Sequence, residues 1–257
     1  METTEIGRRD FLKTVGALGS SGLLLTAFPW LQSFAADNQK ALKGEKAKLA
    51  IIGTGSRGMY HINNLLNTRQ AEIVALCDIY KPHLDQAAAL CPKAKQYSDY
   101  REVLASPDVQ GIIIACPLHE HAPIAIAGMK AGKHVFSEKS MARTLDQCKE
   151  MYDVYKQTGQ VLYIGQQRLF DKKYIKALEM VHNGTIGEVV GLRNFWFRNN
   201  DWRRPVPEPS LERQINWRLY KEYSGGLMTE LATHQLQIGT WALKSIPDYI
   251  MGSGDIT

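Results

Sequence analysis

The chain has 257 residues, with 31 Lys+Arg against 26 Asp+Glu, a formal net charge of +5, 44% apolar residues and 4 cysteines. Those figures exclude a disordered chain, a disulfide-scaffold miniprotein, a collagen-like repeat and a polytopic membrane protein. With no Lys/Arg runs, so small an excess of positive charge leaves no electrostatic footprint for nucleic acid.

Residues 1–35 read as a targeting segment rather than as fold. Arg8 and Arg9 precede Asp10, Phe11, Leu12 and Lys13, and a mildly apolar stretch follows from Val15 to Phe28, diluted by Gly16, Gly19 and Gly22. Ser33 and Ala35 then supply small residues for cleavage. The RRDFLK string resembles a bacterial twin-arginine signal, which implies an exported, periplasmic protein that folds before it crosses. The apolar stretch falls short of the ~20 strongly apolar residues of a membrane span, so none is expected after removal. Cleavage would take three charges of each sign and leave the net charge at +5. Residues 36–46 read as a linker. Cys77, Cys91, Cys116 and Cys148 form neither CxxC nor metal spacing, which predicts free thiols and no metal site.

From residue 47 the pattern is α/β. Lys48–Ile52 is an apolar run ending in Gly53-Thr54-Gly55-Ser56-Arg57-Gly58; Met59–Thr68 suits a helix, and Glu72–Cys77 is a second apolar run ending on Asp78. Asp78 lies 20 residues beyond Gly58, the spacing of a dinucleotide-binding βαβ unit. Gly53 suits the tight turn, Gly55 close approach of a pyrophosphate, and Gly58 close packing of helix on strand. Asp78 would accept from ribose hydroxyls and repel a 2′-phosphate, favouring NAD over NADP, with Arg57 and Lys81 able to soften that preference. Helices are predicted over 83–90, 100–105, 122–131 and 145–158, with strands over 109–116, 134–136 and 161–165. The expectation is a Rossmann doubly wound parallel sheet over 47–166, with its chemistry at strand C-terminal ends. Leu118-His119-Glu120-His121, Glu138-Lys139 and Gln167 all fall at such ends.

Residues 167–257 predict a strand over Glu188–Arg198, a helix over Leu231–Leu243 and a strand beginning near Tyr249. Two strands do not make a stable sheet, so an incomplete α+β domain with a mixed or antiparallel sheet is expected, in a chain truncated at its C-terminus. Trp196, Trp202, Trp217 and Trp241 concentrate here, and the 194–204 segment interleaves rings with donors and acceptors, a mixture suited to a polyhydroxylated ligand.

GTGSRG, the Asp78 strand end, PLHEH (117–121), SEKS (137–140), GQQRLF (165–170) and WRLYKEYSGGLMTELATHQLQ (217–237) together resemble the Gfo/Idh/MocA family of nicotinamide-dependent oxidoreductases. The resemblance implies a Rossmann domain followed by a sheet domain that supplies much of the substrate pocket. It also implies that His119 and His121 line the nicotinamide-ribose groove, and that Gln167 stands where an Asn usually does. The family's Glu-Lys-Pro appears as Glu138-Lys139-Ser140, its Asp-x-x-x-His as Glu230-x-x-x-His234, and a later Asp as Gln237. On its own chemistry, Lys139 at a strand end could stabilise the alkoxide that develops as hydride leaves a hydroxyl. Glu230 and His234 are spaced to share a helical face, with His234 as acid–base partner and Glu230 orienting it. The expected activity is NAD-dependent hydride transfer from a sugar or sugar-derivative hydroxyl, with the dinucleotide bound tightly. Two alternatives stand beside it: an NAD-dependent glycoside hydrolase or lyase using transient oxidation, whose representatives usually lack the Glu-Lys dipeptide, and a non-catalytic NAD-binding protein. The partners expected are a small sugar-like substrate and, for a full-length form, further copies of the chain.

Overall fold

The structure is a computed structural model that describes residues 46–68, 70–197 and 201–254. The expected signal and most of the linker lie outside these residues. Six strands form one sheet: β1 (Ala47–Ile52), β2 (Ala71–Cys77), β3 (Lys95–Tyr97), β4 (Gly111–Ile114), β5 (His134–Ser137) and β6 (Leu162–Ile164). Their order is β3-β2-β1-β4-β5-β6, and the β1–β4, β2–β3, β4–β5 and β5–β6 pairings are parallel. This is the doubly wound Rossmann order, with its switch point between β1 and β4. Polar, three-residue β3 carries no apolar alternation, so nothing in its composition announced it.

Between the strands run α1 (Ser56–Leu66), α2 (Lys81–Leu90), α3 (Tyr100–Ala105), α4 (His121–Lys130) and α5 (Leu145–Thr158). Caps mark two of them. Asp99 accepts from the Arg101 amide at the start of α3, and Thr144 with Gln147 forms a capping box on α5, which ends on left-handed Gly159. Ile51, Ile112, Ile114 and Val135 are at most 2% exposed, because central parallel strands are covered on both faces. Gly128 lets α4 settle on the sheet: a Cβ there would lie 2.6 Å from the Ile112 side chain. All four cysteines are free; Cys77 and Cys91 are buried, and burial beside Asp78 pushes the Cys77 thiol up to about 12.

Beyond the sheet lie α6 (Lys172–His182), three-residue turns at Pro209–Leu211 and Trp217–Leu219, a short helical turn Glu212–Ile215, a π turn Met228–Ala232 and α7 (Thr233–Leu243). The helix expected over Leu231–Leu243 is therefore present. The expected strands at Glu188–Arg198 and near Tyr249 are not: among the described residues, 188–197 and 249–254 form no strand ladder, and Val190, Phe197 and Tyr249 are at least 90% exposed. A strand exists only through its ladder, and no strand among the described residues pairs with either one. Arg198 itself lies outside the described residues. No helix among the described residues is long and apolar enough to cross a membrane.

Candidate active site

The site opens at the C-terminal ends of β1, β2, β4 and β5. Gly53, at φ +88°, turns the chain so that its amide donates to the Cys77 carbonyl at 2.8 Å. A Cβ at Gly53 would meet Ala115 backbone at 2.8 Å, and one at Gly58 would lie 2.0 Å from the Gly53 carbonyl oxygen. Gly55 differs: a Cβ there would touch only the His83 ring at 3.5 Å, so its open side faces the groove. No side chain caps α1 at this end, and the amides of its first turn stay available to an anion. The cradle that a Cβ would partly fill, with free amides above it, fits a dinucleotide pyrophosphate.

Asp78 ties this turn down. Its Oδ2 accepts from the Thr54 amide at 2.7 Å and the Thr54 hydroxyl at 3.1 Å, and Oδ1 from the Tyr80 amide at 2.8 Å. One acceptor position on Oδ1 is left over, and Asp78 lines the groove. Arg57 and Lys81 do not sit beside it: Arg57 is drawn to Glu138, and Lys81 pairs with Asp85 one helical turn on.

Glu138 closes β5. Its Oε1 accepts from Arg57 Nε at 2.7 Å and lies 2.7 Å from His61 Nε2. Burial works to raise the Glu138 carboxyl, but His61 and Arg57 hold it below the usual carboxylate range. His61 had no spacing signal in the sequence; it reaches the site only because α1 packs its ring edge against Phe136 of β5.

Lys139 and Ser140 leave the sheet toward the second half. Lys139 Nζ donates to the Glu230 carbonyl, and Ser140 Oγ to the Thr229 carbonyl at 2.7 Å. Both acceptors belong to the π turn, whose wider backbone ring turns carbonyls away from the regular helical ladder. Burial lowers the Lys139 ammonium from its ordinary value; Arg218 adds to that and Glu230 opposes it.

The same π turn separates two residues expected to act as a pair. The Glu230 carboxylate accepts from Arg218 Nε at 3.3 Å and Ser224 Oγ at 3.2 Å, while His234 Nδ1 is buried without a partner. Both residues line the same groove, but no hydrogen bond joins their side chains among the described residues. Glu230 therefore orients Arg218 and, through its carbonyl, Lys139; it does not orient His234. Burial, then the charge of Lys139, lowers His234 to about 4, which leaves its imidazole neutral.

Of the two histidines expected along the nicotinamide-ribose groove, His119 is partly exposed, lies tilted against Tyr223 with ring centres 4.7 Å apart and meets Glu120 at 3.3 Å. His121 is 2% exposed, and both ring nitrogens face backbone carbonyls: Ser140 at 2.7 Å and Cys116 at 3.0 Å. Its ring fastens the Lys139–Ser140 segment to the end of β4, so its nitrogens are engaged by backbone rather than free for a ligand. Gln167, Leu118, Lys139, Glu230 and His234 line one groove with the glycine turn. The groove holds about 1380 Å³, above the roughly 300–1,000 Å³ of a pocket for one drug-sized molecule, which leaves room for a dinucleotide and a second ligand.

Comparison with known proteins agrees with this architecture. Residues 47–166 match the family described as an oxidoreductase family with an NAD-binding Rossmann fold, and residues 174–257 match the GFO/IDH/MocA C-terminal domain. The chain is 35% identical over 213 residues to an alpha-N-acetylgalactosaminidase of Tannerella forsythia, covering 74% of this chain and 44% of that protein. It is 35% identical over 206 residues to a glycosyl hydrolase family 109 protein of Parabacteroides distasonis, with the same coverage of 74% and 44%. The chain thus spans less than half the length of these curated relatives. Among solved structures, scyllo-inositol dehydrogenase from Lactobacillus casei with bound NAD(H) and scyllo-inositol shares the fold, at TM-score 0.62 and 21% identity over 77% of this chain and 56% of that one.

Proposed function

Because the chain belongs to the Gfo/Idh/MocA oxidoreductase family by the match of both its halves, we propose that it is an NAD-dependent enzyme taking a hydride from a CH–OH group of a sugar or sugar derivative. The observation that carries this reading is the convergence of Lys139 and an uncharged His234 on the groove that begins at the glycine turn. When bound, nicotinamide supplies the hydride acceptor. Lys139 Nζ, anchored on the Glu230 carbonyl, donates to the substrate oxygen and stabilises negative charge as it develops there. The neutral His234 ring takes the hydroxyl proton. The carbon loses hydride, the oxygen loses its proton, and a carbonyl remains. Gly53, Gly55, Gly58 and the α1 amides would receive the pyrophosphate, and Asp78 the ribose, favouring NAD over NADP by repelling a 2′-phosphate. Export through the twin-arginine route, in this reading, requires that dinucleotide be loaded before crossing and held tightly.

A second reading is redox-neutral cleavage of a glycoside through transient oxidation at the same residues. The names of the Tannerella and Parabacteroides relatives favour it. Incubating dinucleotide-loaded protein with aryl glycosides and with free sugars separates the two. Accumulating NADH from free sugar supports the oxidoreductase, whereas aglycone release without net NADH supports the hydrolase. Bound dinucleotide with neither reaction would assign a non-catalytic role. Lys139→Ala should slow hydride transfer roughly 10²–10⁴-fold with dinucleotide retained, and undiminished turnover would remove Lys139 from the mechanism.

A further inference from the structure

Of the cations that line the groove, Lys139 stands at the end of β5 and Arg204, Arg213 and Arg218 come from the second half of the chain. Two have partners. Arg218 stacks on Trp217 at 4.2 Å and pairs with Glu230, and Arg213 meets Glu222 at 3.5 Å. Lys139 donates to a backbone carbonyl and, in the reading above, to the reacting oxygen. Among the described residues, no carboxylate lies within salt-bridge distance of Arg204. Its backbone is nonetheless fixed: the Arg204 amide donates to Asn216 Oδ1 at 2.7 Å, and Asn216 Nδ2 donates to the Arg204 carbonyl at 3.0 Å. Asn216 is 2% exposed, so the clip is built into the interior while the guanidinium stays at the groove wall. Burial lowers Arg218, and the charge of Arg204 adds to that shift. Arg204 and Arg218 line the same groove, and their like charges oppose each other, an opposition that an anion bound there would relieve.

Resting on the sugar reading above, we propose that Arg204 is a specificity-determining residue that binds an anionic substituent of the substrate, a carboxylate, phosphate or sulfate on the sugar. A planar guanidinium on a fixed backbone suits two-point recognition of such groups. The pyrophosphate cradle is built by Gly53–Gly58 at the end of β1, whereas Arg204 comes from the second half of the chain, and NAD retention by an Arg204 variant tells the two roles apart.

The test is equilibrium binding to the full chain loaded with NAD, using matched probes: methyl galactoside against methyl galacturonide, methyl glucoside against methyl glucuronide, and the corresponding 6-phosphates and 6-sulfates. At least one anionic probe should bind roughly tenfold or more tightly than its neutral partner, with the ratio shrinking at high salt. Whichever anion wins identifies the substituent. Arg204→Gln should bring the ratio close to one with NAD retention unchanged, and Arg204→Lys should keep part of it. Equal binding of neutral and anionic probes, no binding of either, or a preference that survives Arg204→Gln would overturn the proposal. So would a loss of NAD retention in that variant, which would assign Arg204 to the cofactor. The ratio is read without turnover, so failure of hydride transfer and failure of anion recognition are separate results.

Discussion

The two halves of the groove are held by different forces. From residue 47 to 166 the site stands on strand ends whose interior is apolar: Ile51, Leu76, Ile112 and Ile114 are almost wholly buried. From residue 167 to 254, the buried apolar residues are Leu178 and Ala242, and the buried polar ones are Asn216, Ser224, Glu230 and His234. The first half is thus positioned by non-directional burial and a hydrogen-bonded ladder, which tolerate variation as long as the pattern is kept. The second is positioned by directional contacts, Asn216 on the Arg204 backbone and Glu230 between Arg218 and Ser224, each of which fails if one partner changes. In the proposed reading, the dinucleotide cradle sits on the first kind of support, and His234, the anchor of Lys139 and Arg204 sit on the second.

Substitutions can break this contrast in graded steps. Gly58→Ala should have the largest effect, because its Cβ would overlap the Gly53 carbonyl and the backbone cannot yield cheaply. A loss of about 3 kcal/mol and of co-purified dinucleotide is expected, read by urea unfolding and mass spectrometry. Glu230→Gln should act on the other half. It leaves Arg218 without its carboxylate, costing ~1–3 kcal/mol, and hydrogen exchange should quicken over residues 212–243 while the β1–β6 amides keep their protection. Equal quickening in the sheet would show that the two halves unfold as one.

His234 gives a pH signature. Its folded value of about 4 lies below the ordinary 6.5, so the unfolded chain takes up the proton first. Stability from this group is complete above about pH 6.5 and is lost as pH falls toward 4, by on the order of 2 kcal/mol once solvent screening is allowed for. His234→Gln should flatten the wild-type curve in that window, and an unchanged slope would place the sensitivity elsewhere. Thr54→Val is the smallest step. It removes the hydroxyl bond to Asp78 but keeps the amide bond, and should cost about 1 kcal/mol with NAD retention weakened slightly.

Much of the first half was legible along the chain. Apolar runs and glycine spacing are local, and they located β1, β2, β4, β5, β6 and the α-helices α1 to α5 between them; only β3, short and polar, was silent. Free cysteines followed from the same runs. In the second half the helix at 231–243 was legible, but the strands at 188–198 and near 249 were not realised, because a strand depends on a partner that its own residues cannot report. The site divides the same way. Residue types and positions were enough to nominate Lys139, Glu138, Asp78 and His234. The contacts that define their work, His61 and Arg57 on Glu138, or Lys139 on the Glu230 carbonyl, join residues 77 to 91 positions apart. Spacing and resemblance paired Glu230 with His234, but the Glu230 carboxylate is taken by Arg218 and Ser224, a competition that spacing cannot report. Sequence by itself determined the periodicities, and so the sheet, the glycine turn and the identities of the groups at strand ends. Only the tertiary structure decided which charge meets which, because distances between groups far apart in sequence are set by how whole elements pack.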